Sequence, residues 1–457
     1  MRRRVVRPPR KYVRLGLAPA PPSRPFLRTG VSVGVAAAVA MAGVTTWRAL
    51  GSTRTPGFRR PPVVDANRFS TRWPIKHVVF IVKENRSYDH MFGLFPGADG
   101  VSVGWDDGVK RPLTRLTAQR IPDLPHCWQC AVASYDGGKM DGFNQTLSAD
   151  HHAYTQLHPA DEPNYWKWAN HYTLADHFFS SERGPSYANH LYMISGQSAG
   201  AHDNPSRAKV HSLTWGCDSP PKERVRIVHE DGSTEWVHPC FKIPSIAQRL
   251  DQGKVPWAYY AAASTQPGYI WSAFTSIHDV FYGPTWNDHV FPVDQVSRDI
   301  AVGGSLPAVT WVMPRFELSN HPGSNFCYGE NWATKVIDTI MRSPDWGSTA
   351  IFLTWDEWGG FYDHVPPPTV DGFGYGFRVP FMVLSPYAKA HFIDHQTGSF
   401  DSMLKFIESN WGLKPLTERD AKASDLSSAF DFKQEPTPPD PLPLRTDCHG
   451  PKWEILG

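Results

Sequence analysis

No acidic residue stands before Asp65 in this 457-residue sequence, whereas nine basic residues occupy positions 1–28. The formal net charge of +2 is therefore a sum of unlike parts: from Asp65 onward 33 basic residues face 44 acidic ones, a net of −11. An acidic body excludes nucleic acid as its partner, because phosphate backbones call for a basic face. There is no internal repeat, which excludes a solenoid. Charged residues make up only 20% and hydrophobic residues 41%, which excludes a disordered chain. Pro and Gly number 42 and 36, short of the roughly 25–30% of low-complexity chains but enough for a loop-rich globular body. Trp is abundant at 18, suited to a large core or a lined cleft.

Between Arg28 and Arg48 lie 19 uncharged residues, Thr29 to Trp47, with no Leu, Ile or Phe. As a helix this run reaches about 28 Å, nearly a bilayer core. The basic segment before it predicts an N-in, C-out orientation. Two readings stand: a signal peptide cleaved near Ala40-Met41-Ala42, or an uncleaved anchor. Ser23-Arg24-Pro25-Phe26-Leu27-Arg28 resembles a twin-arginine export signal, with Pro25 where the second arginine belongs. The expectation is an exported protein, extracellular or held at the cell surface through this segment.

Export gives the six cysteines a meaning, since an even count outside the cytoplasm predicts disulfides. Arg224 to Val228 and Thr234 to Val237 flank Asp231-Gly232 and read as a β-hairpin, so a Cys217–Cys240 bridge is expected across its base. Cys127-Trp128-Gln129-Cys130 is a CxxC of redox or zinc type, but with no second CxxC the expectation is a local disulfide or free thiols.

The domain reading runs as a basic segment 1–28, a signal or anchor helix 29–47, an Arg/Pro-rich linker 48–72, a catalytic body 73–415 and a Pro-rich tail 416–457. Within the body, apolar runs at 76–82, 307–313, 350–355 and 379–384 read as buried strands. Gly329 to Arg342 and Ser399 to Trp411 carry helical spacing. Strand–helix alternation predicts an α/β fold with a largely parallel sheet, whose ligand sites gather at the carboxyl ends of strands.

Polar residues follow those strands at once. Glu84-Asn85-Arg86-Ser87-Tyr88-Asp89-His90 comes after the first, and Asp356 through His364 after the third. Adjacent carboxylates such as Asp356 and Glu357 repel unless a cation or proton lies between them. With Glu84 and Asn85 they offer hard oxygen donors suited to Mg²⁺, Ca²⁺ or Mn²⁺, with Zn²⁺ as the alternative. Singly, such residues more often cap helices and brace loops; the repeated strand-end placement favours a site. Ser186 opens an apolar helical run, a position that suits an N-cap or a nucleophile near a positive dipole end.

These residues carry a resemblance. Four ordered segments are similar to the phosphoesterase family of bacterial phospholipases C, acid phosphatases and plant non-specific phospholipases C: Glu84 to His90, Ser186 to His190, Asp356 to His364 with Pro366 and Pro367, and Gly376 to Pro380 with Ser385-Pro386. Gly138 to Phe143 and His321-Pro322 also match, so the likeness spans about residues 73–415. It implies an alkaline-phosphatase-like three-layer α/β fold with loop and hairpin insertions, and metal-assisted phosphoester hydrolysis. By the same resemblance the metal ligands fall on Glu84, Asn85, Asp356, Glu357 and Ser186, the nucleophile on Ser186, and the phosphoryl or leaving-group histidines on His126 and His321. A further family histidine has no clean counterpart, with His278 and His289 both nearby, and Ala188 replaces the usual proline. Asp363 and His364 read as support for the site or as turn structure, and most of His151, His152, His171, His177 and His190 as surface or core residues. The expected activity is of phospholipase C type on a phosphoester, with phospholipid as one substrate. Two alternatives stand: an acid phosphatase acting on monoesters, and a surface-binding protein that kept the fold without catalysis.

Overall fold

The structure, a computed structural model, describes residues 68–450 apart from 118, 146–150, 207–213 and 304–305, together with 61 and 65. The chain divides into two compact units, Met1–Gly57 and Phe58–Gly457, and every described residue belongs to the second. The segment 29–47, read from sequence as a signal or anchor helix, lies outside the described residues. Among those described, no helix is long and apolar enough to cross a membrane.

The central sheet has eight strands: β1 His77–Lys83, β2 Thr173–Ala175, β3 Trp257–Ala261, β4 Val290–Pro292, β5 Val309–Val312, β6 Thr349–Trp355, β7 Phe381–Leu384 and β8 Phe392–Asp394. Their order is β4-β3-β5-β1-β6-β7-β2-β8. Every pair is parallel except those made by β7, which runs antiparallel to β6 and β2. The four strands expected from apolar runs are all present as β1, β5, β6 and β7. Their side chains are fully buried, as suits strands covered on both faces.

Four helices matter to the site: α1 Pro163–His171, α2 Ser186–Ser195, α3 Phe326–Met341 and α4 Phe400–Trp411. Alternation along β6 shows how they cover the sheet. Phe352 meets Phe406 of α4 with ring centroids 5.0 Å apart, while Trp355, on the opposite face, meets Tyr165 of α1 at 5.2 Å. Lys83, level with Trp355 in the register, sits 4.8 Å over the Trp332 ring of α3. Helices thus lie on both faces, giving the expected three layers with a largely parallel sheet. The helices at 329–342 and 399–411 form as expected, α3 capped by Asn325 and α4 by a capping box at Ser399.

Three disulfides close the body: Cys127–Cys130, Cys217–Cys240 and Cys327–Cys448. The second joins the ends of the expected hairpin, Val225–Val228 with Thr234–Val237. The third fastens the C-terminal segment to α3, aided by Arg445 Nη1 donating to Glu330 at 2.7 Å and by buried Leu442.

Candidate active site

Register brings the strand-end motifs together. Lys83 pairs with Trp355, so the residues that follow β1 and β6 emerge side by side. Glu84, Asn85, Asp356 and Glu357 are all fully buried there. The Asn85 N–H donates to Asp356 Oδ1 at 2.8 Å, and its side-chain amide donates to Glu357 Oε1. The Gly359 N–H donates to Glu357 Oε2 at 2.8 Å. Gly359 has φ +65°, and a Cβ there would lie 2.3 Å from the Asn85 carbonyl oxygen. Only glycine permits that approach.

His190 completes the cluster. Its Nε2 lies 3.0 Å from Glu84 Oε1 and 3.7 Å from Asp356 Oδ2. Glu84, His190 and Asp356 each bring a donor atom within 4.8 Å of the others. Sequence reading grouped His190 with structural histidines; the signal that could have found it is its position one helical turn after Ser186, on the same face of α2. Ser186 itself is the first residue of α2 and is buried. The loop before it is held by Asn189, which donates to the Gly184 carbonyl at 2.9 Å and the Pro185 carbonyl at 3.2 Å and accepts from the Glu182 N–H at 3.0 Å.

The electrostatics of this pocket are unbalanced. Burial pushes the Glu84, Asp356 and Glu357 carboxyls well above the usual range, and mutual repulsion adds to it for Asp356 and Glu357. Burial lowers His190 to about 4. Glu84 Oε2, Asn85 Oδ1, Asp356 Oδ2 and His190 Nδ1 are buried with no hydrogen-bond partner. Orphaned acceptors at such density fit a divalent cation, with hard oxygens as the main donors.

His126 lies beside Glu357, with His321 against it. His126 Nδ1–H donates to the Leu124 carbonyl at 2.6 Å, which turns Nε2 toward Glu357 Oε1, 3.9 Å away. His321 Nδ1–H donates to the Pro322 carbonyl at 2.6 Å, and the two rings meet edge-on at 5.7 Å. Burial lowers His321 to about 3, so its ring is neutral with Nε2 open. His289, by contrast, stacks on Trp257 at the amino end of β3 with centroids 4.2 Å apart, at the opposite end of that strand from the site. His278 is tied to Asp279 at 2.8 Å. A cavity of about 1270 Å³ opens around Gly196 at the far end of α2 and is lined by none of these residues.

Beneath the site, three motifs interlock. Arg378 Nε donates to Asp363 at 2.9 Å and Nη2 to Asp89 at 3.3 Å. Arg378 Nη1 donates to the Asp99 and Asp176 carbonyls at 2.7 and 2.8 Å. The His364 N–H and Nδ1 lie 2.8 and 2.7 Å from Asp89 Oδ2. Asp363 and His364 thus brace the loops that carry Asn85 and Glu357, which is the supporting position read from sequence.

The model of the phosphoesterase family matches residues 75–414. The chain belongs to that family. It is 27% identical over 443 residues to a non-hemolytic phospholipase C of Pseudomonas aeruginosa, covering 82% of this chain and 60% of that one. It is 27% identical over 446 residues to phospholipase C B of Mycobacterium tuberculosis, covering 80% of each. To the non-specific phospholipase C3 of Arabidopsis thaliana it is 23% identical over 444 residues, covering 83% of this chain and 76% of that one. The chain thus spans about three-fifths of the length of the Pseudomonas relative. Among solved structures, a protein in the alkaline phosphatase superfamily from Vibrio parahaemolyticus matches with a TM-score of 0.35 and 12% identity, covering 77% of this chain and 69% of that one, a likeness too loose to carry an argument.

Proposed function

We propose that this family member hydrolyses phosphoesters in the manner of a phospholipase C, with Ser186 as nucleophile. The observation that supports it is the convergence of buried Glu84, Asn85, Asp356 and Glu357, the first three with an orphaned oxygen each, beside the helix that opens at Ser186. Those four residues, with Ser186 and His190, would hold a divalent cation, which supplies charge neutralisation for the phosphoryl oxygens and acidifies the serine hydroxyl. The Ser186 Oγ bonds to phosphorus, the bond from phosphorus to the leaving oxygen breaks, and a proton reaches that oxygen through His126 or His321. A water oxygen then bonds to phosphorus, the serine–phosphorus bond breaks, and Ser186 Oγ regains a proton. Buried walls around Glu84 and Asp356 exclude other water, and the Arg378 network holds both loops in place. Pairing of all six cysteines supports export to an oxidising compartment.

The test is hydrolysis of a soluble aryl phosphodiester, an aryl monoester and phosphatidylcholine by the metal-replete protein, with acid quench and mass spectrometry for phosphate on Ser186. Diester turnover with a phosphorylated Ser186 peptide is the expected result. Full turnover in Ser186→Ala would refute the nucleophile, and monoester turnover alone would move the activity to a phosphatase.

A further inference from the structure

An exposed apolar hairpin lies beside the candidate site. Strands Val103–Asp106 and Val109–Pro112 pair antiparallel around Asp107-Gly108. The register sets Val103 opposite Pro112 and Trp105 opposite Lys110, so these four share one face. Val103 and Trp105 on this face are each 45% exposed, and Val109, paired with Asp106 on the opposite face at the turn, is 63% exposed. Eight large apolar side chains are exposed among the described residues, and this hairpin holds three of them while no other element holds two. Clustering of this kind marks an interaction surface, where scattered single residues would not.

The other face of the hairpin is fixed to the site. A Cβ at Gly104 would meet the Tyr362 ring at 2.7 Å, so that ring lies directly against the strand. The Trp105 N–H donates to Tyr362 Oη at 3.2 Å, and Tyr154 Oη donates to the Trp105 carbonyl at 2.6 Å. Tyr362 follows Asp356 and Glu357 on their loop and shares a small core with Leu124 and Trp358. Leu124 holds His126 through its carbonyl, and Trp358 meets the His126 ring edge-on at 6.5 Å. The hairpin is therefore anchored, through the face opposite Trp105, to the loops that carry the site.

We propose that this hairpin docks on a zwitterionic phospholipid bilayer and brings its headgroups to the site, an inference that rests on the phospholipid-hydrolase reading. Lys110 Nζ lies 5.4 Å over the Trp105 ring. An indole with an ammonium against it suits the boundary between acyl chains and phosphates, the ring in the interface and the cation among the headgroup oxygens. Arg111 is already engaged by Asp106 at 2.6 Å, so the hairpin offers one ammonium rather than a basic patch. The net charge of −11 from Asp65 onward would be repelled by an anionic leaflet, which selects a zwitterionic surface. The hairpin's exposed apolar area then supplies the attraction.

Flotation of the purified protein with vesicles of phosphatidylcholine alone tests this, comparing wild type with Trp105→Ala and the double variant Val103→Ser/Trp105→Ala. Neither residue belongs to the catalytic set, and the bonds made by Trp105 are backbone bonds that alanine retains. The expected result is vesicle binding by wild type, a loss of about tenfold or more in partitioning for the double variant, a parallel loss of vesicle hydrolysis, and unchanged turnover of a soluble aryl phosphodiester. Wild type that cleaves the soluble diester yet ignores the vesicles overturns the inference, as does equal binding by the variants. A wild-type dimer in light scattering that Trp105→Ala splits would assign the face to a second copy and overturn it too. Vesicle binding with no hydrolysis of any phosphoester would sustain the docking surface and remove the catalytic reading instead.

Discussion

Two buried acid clusters sit under the loops that follow β1 and β6, and they are balanced in opposite ways. In one, every oxygen of Asp89 and Asp363 accepts a hydrogen bond, and the Arg378 guanidinium lies between the two carboxylates. In the other, Glu84, Asp356 and Glu357 have no guanidinium or ammonium in salt-bridge contact among the described residues and leave acceptors orphaned. The first supplies its own cation and is architecture. The second lacks one of its own, and under the proposed function it would receive a divalent cation from outside.

The sharpest way to test the contrast is to remove charge from each cluster. Asp356→Asn and Ser186→Ala should lower phosphodiester turnover by about a thousandfold or more, with the metal-free Asp356→Asn protein at least as stable as wild type in urea because a repulsive charge is gone. Normal turnover in either variant would sink the assignment. Arg378→Met should do the reverse to the fold, costing about 3–5 kcal/mol because it leaves two buried carboxylates without a counter-charge. Unfolding within about 1 kcal/mol of wild type would show that the two clusters do not differ as argued.

Glu182, in the loop clamped by Asn189, tests the same principle through pH. Burial lifts its carboxyl to about 8, only partly offset by Ser198 and Arg419. The folded value lies above the unfolded one, so its contribution to stability is complete below the ordinary carboxyl range and is lost as pH rises through about 8. Urea midpoints should therefore fall between pH 5 and pH 9, and Glu182→Gln should flatten that slope; an unchanged slope would refute the shift. Metal removal comes next in size. At a free cation concentration a hundredfold above Kd, binding adds about 2.7 kcal/mol. A chelator should lower the Tm of wild type and leave that of Asp356→Asn unmoved, and identical responses would place the cation elsewhere.

What was legible in the sequence follows from what each feature depends on. β1, β5, β6 and β7 show as unbroken apolar runs because both faces of the sheet are covered. The antiparallel direction of β7 and the short edge strands β4 and β8 leave no comparable mark, since pairing is settled by distant partners. The carboxylates were readable because they directly follow strands, and register did the rest. His190 was not, because α2 is buried on every side, and only its place one turn after Ser186 sets it apart from a core histidine. Cys217–Cys240 could be inferred from a local hairpin; Cys327–Cys448, 121 residues apart, could not. The hold of the C-terminal segment on α3 likewise depends on Arg445 finding Glu330, which its Pro-rich composition hides.

The smallest expected effect isolates geometry from charge. Gly359 and Gly412 both have positive φ, +65° and +66°. A Cβ at Gly412 would meet nothing within 4 Å, whereas one at Gly359 would lie 2.3 Å from the Asn85 oxygen. Alanine at either position carries the left-handed penalty of about 1 kcal/mol. At Gly359 it must also push the Asn85 backbone, and with it the N–H that holds Asp356. Gly412→Ala should therefore change stability alone, while Gly359→Ala should add to that loss and lower turnover by roughly tenfold through misplaced donors. Equal turnover in the two variants would mean that the close packing of the two loops does not position the site.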